Sequence, residues 1–134
     1  MDISIAAEIM DQVVNHARSV YPQEACGLLI GHTPNAERFV AATNILASET
    51  AYEMDPAFLA ATLRSLRTSG EQLIAIVHSH PRGSAEPSET DLRRAYYPEA
   101  AHVIVSLASL ERPQVRGFRI IDGQAYEIEL HAIL

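Results

Sequence analysis

The chain has 134 residues, 48% of them hydrophobic, and carries a formal charge of -7 from 17 acidic and 10 basic side chains. That size and apolar content suit one sizeable core, so a single domain over residues 1–134 is expected. The acidic balance argues against a surface built on phosphate neutralisation, whether duplex nucleic acid or anionic membrane, and no apolar run reaches the roughly 18 residues that would cross a bilayer.

The opening MDISIAAEIMDQ lacks the basic segment and cleavage pattern of a secretory leader. Cys26 is the one cysteine and has no partner for an internal disulfide, which fits a reducing, cytoplasmic setting. All ten basic residues are Arg, a bias that codon usage in a GC-rich genome explains without invoking function.

Ile3, Ile5, Ala6, Ile9, Met10, Val13, Val14 and Ala17 recur at spacings of mostly three and four, which predicts an amphipathic helix stopped by Pro22. ACGLLIGH and ERFVAATNIL then read as two neighbouring strands within Ala25–Leu46, joined at TPNA. A second helix follows Pro56 and ends at Ser69-Gly70, and QLIAIVHSH is a nearly continuous apolar strand of the sheet centre. SETDLRRAYY predicts a short third helix closed by Pro98. HVIVSLAS, VRGFRIID and QAYEIEL are three further strands, the last two joined by a hairpin turn around Asp122-Gly123. Such a mixture implies an α/β fold with a mixed sheet flanked by helices.

Chemistry concentrates between Ile74 and Leu92, in IAIVHSHPRGSAEPSETDL. His78 and His80 lie two apart where an apolar strand reaches solvent. Residues i and i+2 leave the same face about 6.6 Å apart, so both imidazoles can converge on one ion. Asp91 lies eleven residues past His80, with enough chain between to loop back and add a hard oxygen. Two imidazoles and a carboxylate suit Zn²⁺ and leave a fourth position for water, as catalytic rather than structural zinc requires. Ser88-Glu89-Thr90-Asp91 is also a helix-capping pattern, and the two readings are compatible, because a cap would fix the helix start that aims Asp91.

Amide hydrolysis further needs a group that moves protons. Glu24, Glu49, Glu53, Glu86 and Glu89 qualify by type, and Glu24 stands out as the acid that opens ACGLLIG, where a neighbouring strand could bring it to the site. Cys26 reads as a small buried hydrophobe. His16, His32, His102 and His131 lack metal-like spacing and read as structural or surface residues. The loop Arg82–Pro87 flanks the ligands and could touch substrate, although its glycine and prolines suit a turn in any case.

Taken together, EACGLLIG and HSHPRGSAEPSETD, with TN after the second strand and FRIIDG near the end, resemble the JAMM (MPN+) metallopeptidase family over nearly the whole chain, most closely its small bacterial members. The resemblance implies a cytidine-deaminase-like α/β fold and one Zn²⁺ per chain on His78, His80 and Asp91. It implies Glu24 as the base that later protonates the leaving amine, and Ser88 as a donor to the oxyanion. It also implies substrates that are ubiquitin-like or sulfur-carrier proteins ending Gly-Gly, such as a carrier bearing an added cysteine. Two further readings stay open: a non-enzymatic binding module on the same fold, and a DNA-associated protein of the RadC type, whose HNHP...PS..D motif is similar but whose likeness elsewhere is weaker. The carrier's identity and the oligomeric state, a homodimer included, are open.

Overall fold

A computed structural model describes residues 2–133. The elements run β1 (Ile3–Ala6), α1 (Ala7–Ser19), β2 (Cys26–His32), β3 (Asn35–Ala42), α2 (Pro56–Ser69), β4 (Gln72–His80), α3 (Glu89–Arg93), β5 (Ala101–Ser106), β6 (Gln114–Ile121), β7 (Gln124–Ile128) and β8 (Leu130–Ile133). All eight strands join one mixed sheet in the order β7-β6-β5-β4-β2-β3-β1-β8. The expected α/β architecture is therefore present, with β4 in the interior of the sheet. No helix among the described residues is long and apolar enough to cross a membrane.

Two corrections concern the ends of the chain. The predicted first helix begins only at Ala7, because Ile3 and Ile5 are strand residues, buried at alternate positions and paired in parallel with β3 and β8. Apolar residues two apart fit a strand as well as a helix edge, and the partners that decide between them come from distant sequence. The predicted last strand breaks at Glu129: β7 continues the Asp122-Gly123 hairpin, whereas β8 crosses to the far side of the sheet beside β1. At the hairpin both turn residues have positive φ, 52° and 75°, the geometry that favours Asp-Gly there.

Helix α1 buries Ile9, Val13 and Ala17 against one face of the sheet, where Leu29, Val77, Val103 and Val105 complete the larger core. On the opposite face α2 covers Cys26, Leu28, Ile30 and Ile76 with Leu66. The α2 start is fixed by Asp55, whose carboxylate accepts from the Ala57 amide at 3.0 Å, and by Pro56 in the first turn. Its end is fixed by Gly70 in the left-handed conformation (φ 79°), with its amide donating to the Leu66 carbonyl. The third helix is shorter than predicted and stops at Arg93, leaving Tyr96 and Tyr97 outside it.

Candidate metal centre

Strand register brings the predicted residues together. Strands β2 and β4 are antiparallel with Cys26 opposite His78, so the residue two before Cys26, Glu24, comes beside His80. The junction is tied by Ser79, whose amide donates to the Ala25 carbonyl at 3.0 Å and whose Oγ accepts from the Ala25 amide at 2.7 Å. His78 and His80 leave the same face of β4, and the turn after it returns the chain to α3. There Ser88 and Asp91 form a reciprocal cap: Ser88 Oγ accepts from the Asp91 amide at 3.1 Å, and Asp91 Oδ2 accepts from the Ser88 amide at 2.9 Å. The cap anticipated in the sequence is thus present and turns the carboxylate toward the histidines.

The result is a tight triad. His78 Nε2 and His80 Nε2 are 3.2 Å apart, and each is 3.1 Å from Asp91 Oδ2. Their side chains are only 1%, 11% and 9% exposed. The chemistry of this donor set fits a metal ion. His80 Nδ1 lies 2.7 Å from the Ser84 carbonyl, which can only accept, so Nδ1 carries the proton and a neutral His80 presents a bare Nε2 lone pair to Asp91. Lone pairs facing one another are stable only around a cation or a proton. Zinc–nitrogen bonds of about 2.0–2.1 Å at tetrahedral angles separate ligand atoms by about 3.3 Å, close to the spacing found.

Without a cation, the same crowding is relieved by a proton on His80. Burial presses on the Asp91 carboxyl, yet hydrogen bonds from His78 and His80 hold it far below the usual carboxylate range. Burial lowers the His80 pKa, but the Asp91 and Ser84 hydrogen bonds outweigh it and the net shift is upward. His78, fully enclosed, is pushed down chiefly by burial. Glu24 is 5% exposed; burial, with a further push from Asp91 and a counter-pull from His80, raises its carboxyl to about 7. The other acidic candidates point elsewhere: Glu49 pairs with Arg82, Glu53 with Arg94 and Glu86 with Arg116, and Glu89 starts α3 at the surface.

Cys26 is fully buried, and burial followed by the Glu24 charge pushes its thiol up to about 12, so it is packing rather than a nucleophile. His16 touches the Cys26 carbonyl, His32 pairs with Glu37 and His131 with Asp2, all away from the triad. Among the described residues the only other cluster with metal-like spacing is Asp2, Glu129 and His131, which is exposed.

Several supports had no sequence signal of their own. Tyr52 stacks on His78 with centroids 4.7 Å apart and planes 21° apart. Ser106 Oγ donates to the Gly83 carbonyl at 2.6 Å and so anchors the loop that carries Ser84. Asn44 organises residues 44–53: its Nδ2 reaches the carbonyls of Glu24 and Ala51 at 3.0 Å and Ser48 at 3.4 Å, while its Oδ1 accepts from the amides of Leu46 and Glu53. Only TN had marked that position.

Residues 6–121 match the family model for prokaryotic homologues of the JAB domain. The chain is 34% identical over 131 residues to the CysO-cysteine peptidase of Mycobacterium tuberculosis, covering 96% of this chain and 90% of that one. It is 34% identical over 112 residues to the desampylase of Haloferax volcanii, covering 78% and 80%. A solution structure of a protein from Desulfitobacterium hafniense superposes with a TM-score of 0.87 at 31% identity, over 99% of this chain and 93% of that one.

Proposed function

The chain belongs to the prokaryotic JAB-domain branch of the JAMM/MPN family and is a hydrolase, and on that premise we propose that it cleaves the amide after the C-terminal glycine of a ubiquitin-like or sulfur-carrier protein. The observation that carries this reading is the convergence of His78 Nε2, His80 Nε2 and Asp91 Oδ2 within 3.2 Å of one another beside a buried glutamate. We read residues 1–134 as one metallopeptidase domain working in the cytoplasm, with Zn²⁺ held by His78, His80 and Asp91.

When bound there, Zn²⁺ supplies a water of lowered pKa and polarises the scissile carbonyl. Glu24 takes the proton of the attacking water and returns it to the leaving amine. A carboxyl raised to about 7 is suited to both transfers near neutral pH. Ser88 Oγ accepts from the Asp91 amide, so its own proton stays free to donate to the oxyanion that develops on the former carbonyl. Ser84 and Ser106 keep the proton of His80 on Nδ1 and its lone pair directed at the triad. The kinship to a CysO-cysteine peptidase and a desampylase supports a carrier-protein substrate over a purely binding role, and suggests cysteine or a lysine-linked protein as the leaving group.

The test is intact-mass analysis of a ubiquitin-like carrier ending Gly-Gly-Cys, with zinc-loaded protein, chelated protein and Glu24→Gln. Loss of one cysteine residue in the zinc-loaded wild type alone is the expected result. Equal loss in all three overturns the mechanism, and no loss moves the assay to lysine-linked conjugates of the same carrier.

A further inference from the structure

The two histidines of the triad are held differently. His80 is fixed at Nδ1 by its hydrogen bond to the Ser84 carbonyl. His78 has no such bond: its Nδ1 is enclosed and has no hydrogen-bond partner, and its contacts with His80 and Asp91 both fall on Nε2. A metal-ligating imidazole ordinarily donates its other N–H to a carboxylate, a carbonyl or water, and that bond orients the ring. The torsion about Cβ–Cγ of a histidine is broad and soft. Nε2 lies off that axis, so turning the ring carries the nitrogen out of the triad. A contact other than a hydrogen bond has to set the plane of His78.

Tyr52 supplies one. Its ring lies 21° from parallel to His78 with centroids 4.7 Å apart, within the range of favourable offset-stacked aromatic pairs. An imidazole turning about Cβ–Cγ drives an edge into that face. Tyr52 is itself preset, because the residues on either side of it are pinned by one side chain. Asn44 Nδ2 donates to the Ala51 carbonyl at 3.0 Å, and Asn44 Oδ1 accepts from the Glu53 amide at 3.2 Å. The Ile45 amide closes the same segment onto the Glu53 carbonyl at 2.9 Å, and Met54 beyond it is buried in the core that α2 covers.

We propose that Tyr52 is the positioning residue of His78, its stacked ring setting the imidazole plane that brings Nε2 to His80 and Asp91, as the Ser84 carbonyl does for His80 by a hydrogen bond. This rests on the reading of His78, His80 and Asp91 as the zinc ligands. A stack fixes a plane but not which edge of the ring leads. Asp91 and His80 make that choice, because one orientation within the plane presents Nε2 to them and the other presents carbon. The role belongs to the ring face of Tyr52 rather than to its hydroxyl, so Phe can perform it and an aliphatic side chain of similar bulk cannot.

The test measures zinc dissociation constants, by competition with a chromophoric chelator, for wild type, Tyr52→Phe, Tyr52→Leu and Leu66→Ala. Leu66 belongs to the apolar cluster against which Tyr52 packs, but sits on α2, and so reports what loss of packing alone does. Tyr52→Phe keeps the wild-type affinity. Tyr52→Leu weakens zinc binding by roughly three- to tenfold, the contribution of one aromatic pair. Leu66→Ala lowers the thermal midpoint and leaves zinc affinity at the wild-type level. Wild-type affinity in Tyr52→Leu overturns the role, as does an equal loss in Tyr52→Phe or in Leu66→Ala. The ring is read separately in the metal-free protein, from ¹³C relaxation of the His78 ring C–H bonds: their order parameters fall in Tyr52→Leu and stay at wild-type values in Tyr52→Phe. If the wild type binds no zinc, the metal reading fails and this second measurement decides the positioning alone, an unchanged His78 ring in Tyr52→Leu overturning it.

Discussion

The two ring nitrogens of His80 have opposite duties: Nδ1–H donates a hydrogen bond to the Ser84 carbonyl, and Nε2 is left to face Asp91. That division leaves a neutral His80 able to serve as a ligand beside His78 and Asp91. It was legible only in part, because the His-x-His spacing says nothing of which nitrogen points where. Glu24 is the residue whose loss should be most selective. Glu24→Gln keeps size and burial but removes the proton acceptor, and is expected to lower kcat by roughly 10²- to 10⁴-fold while zinc content, measured by mass spectrometry of the metal, stays at the wild-type level. His102 gives a prediction for stability. Its folded pKa is about 4 against 6.5 when exposed, so between those values the unfolded chain binds a proton that the folded chain refuses. Stability is retained above pH 6.5 and falls as pH drops toward 4, by up to about 3 kcal/mol from this residue. Urea unfolding at pH 7 and pH 4.5 checks it, and His102→Phe should lose less stability over that interval than wild type.

At the scale of elements, the site is made by junctions: the end of β4, the approach to β2 and the first turn of α3. The strand β4 and the cap of α3 were readable because apolar run, Ser-x-x-Asp spacing and turn residues each mark a local preference. Residues 43–55 were not, since their order comes from one side chain making five hydrogen bonds to backbone rather than from any periodicity. Asn44→Ala strips partners from three carbonyls and two amides at once. A loss of roughly 2–4 kcal/mol in unfolding free energy is expected, together with faster amide exchange at Ile45 and Glu24, whose amides donate to Glu53 and Ser48 in this segment. Asn44→Asp, which keeps the acceptor, should recover the Leu46 and Glu53 bonds and part of that loss.

For the whole molecule, the strand order is more consequential than the strand count. The outermost strands, β7 and β8, are consecutive in sequence and separated by Glu129 alone, so the sheet curls until its two margins meet at one residue. Sequence patterning could not reveal this, because QAYEIEL reads as one uninterrupted strand and the partner of its last residue, Ile3, lies at the other end of the chain. Gly117 marks the closure: a Cβ there would lie 2.6 Å from Leu130 and 3.2 Å from Ile128. Gly117→Val is therefore expected to cost about 1–3 kcal/mol by overpacking, seen as a lower thermal midpoint with kcat unchanged. The parallel pairing of β1 with β8 has a mechanical meaning as well. Tension applied at Asp2 and Ile133 acts on opposite ends of two side-by-side strands, from Ile3 against Leu130 to Ala6 against Ile133, and loads their hydrogen bonds in shear together instead of unzipping them in turn. Stretched in an optical trap from those points, the molecule should resist and then rupture in one abrupt event, whereas tethers at Ile121 and Gln124, across the β6–β7 hairpin, should peel it open at far lower force.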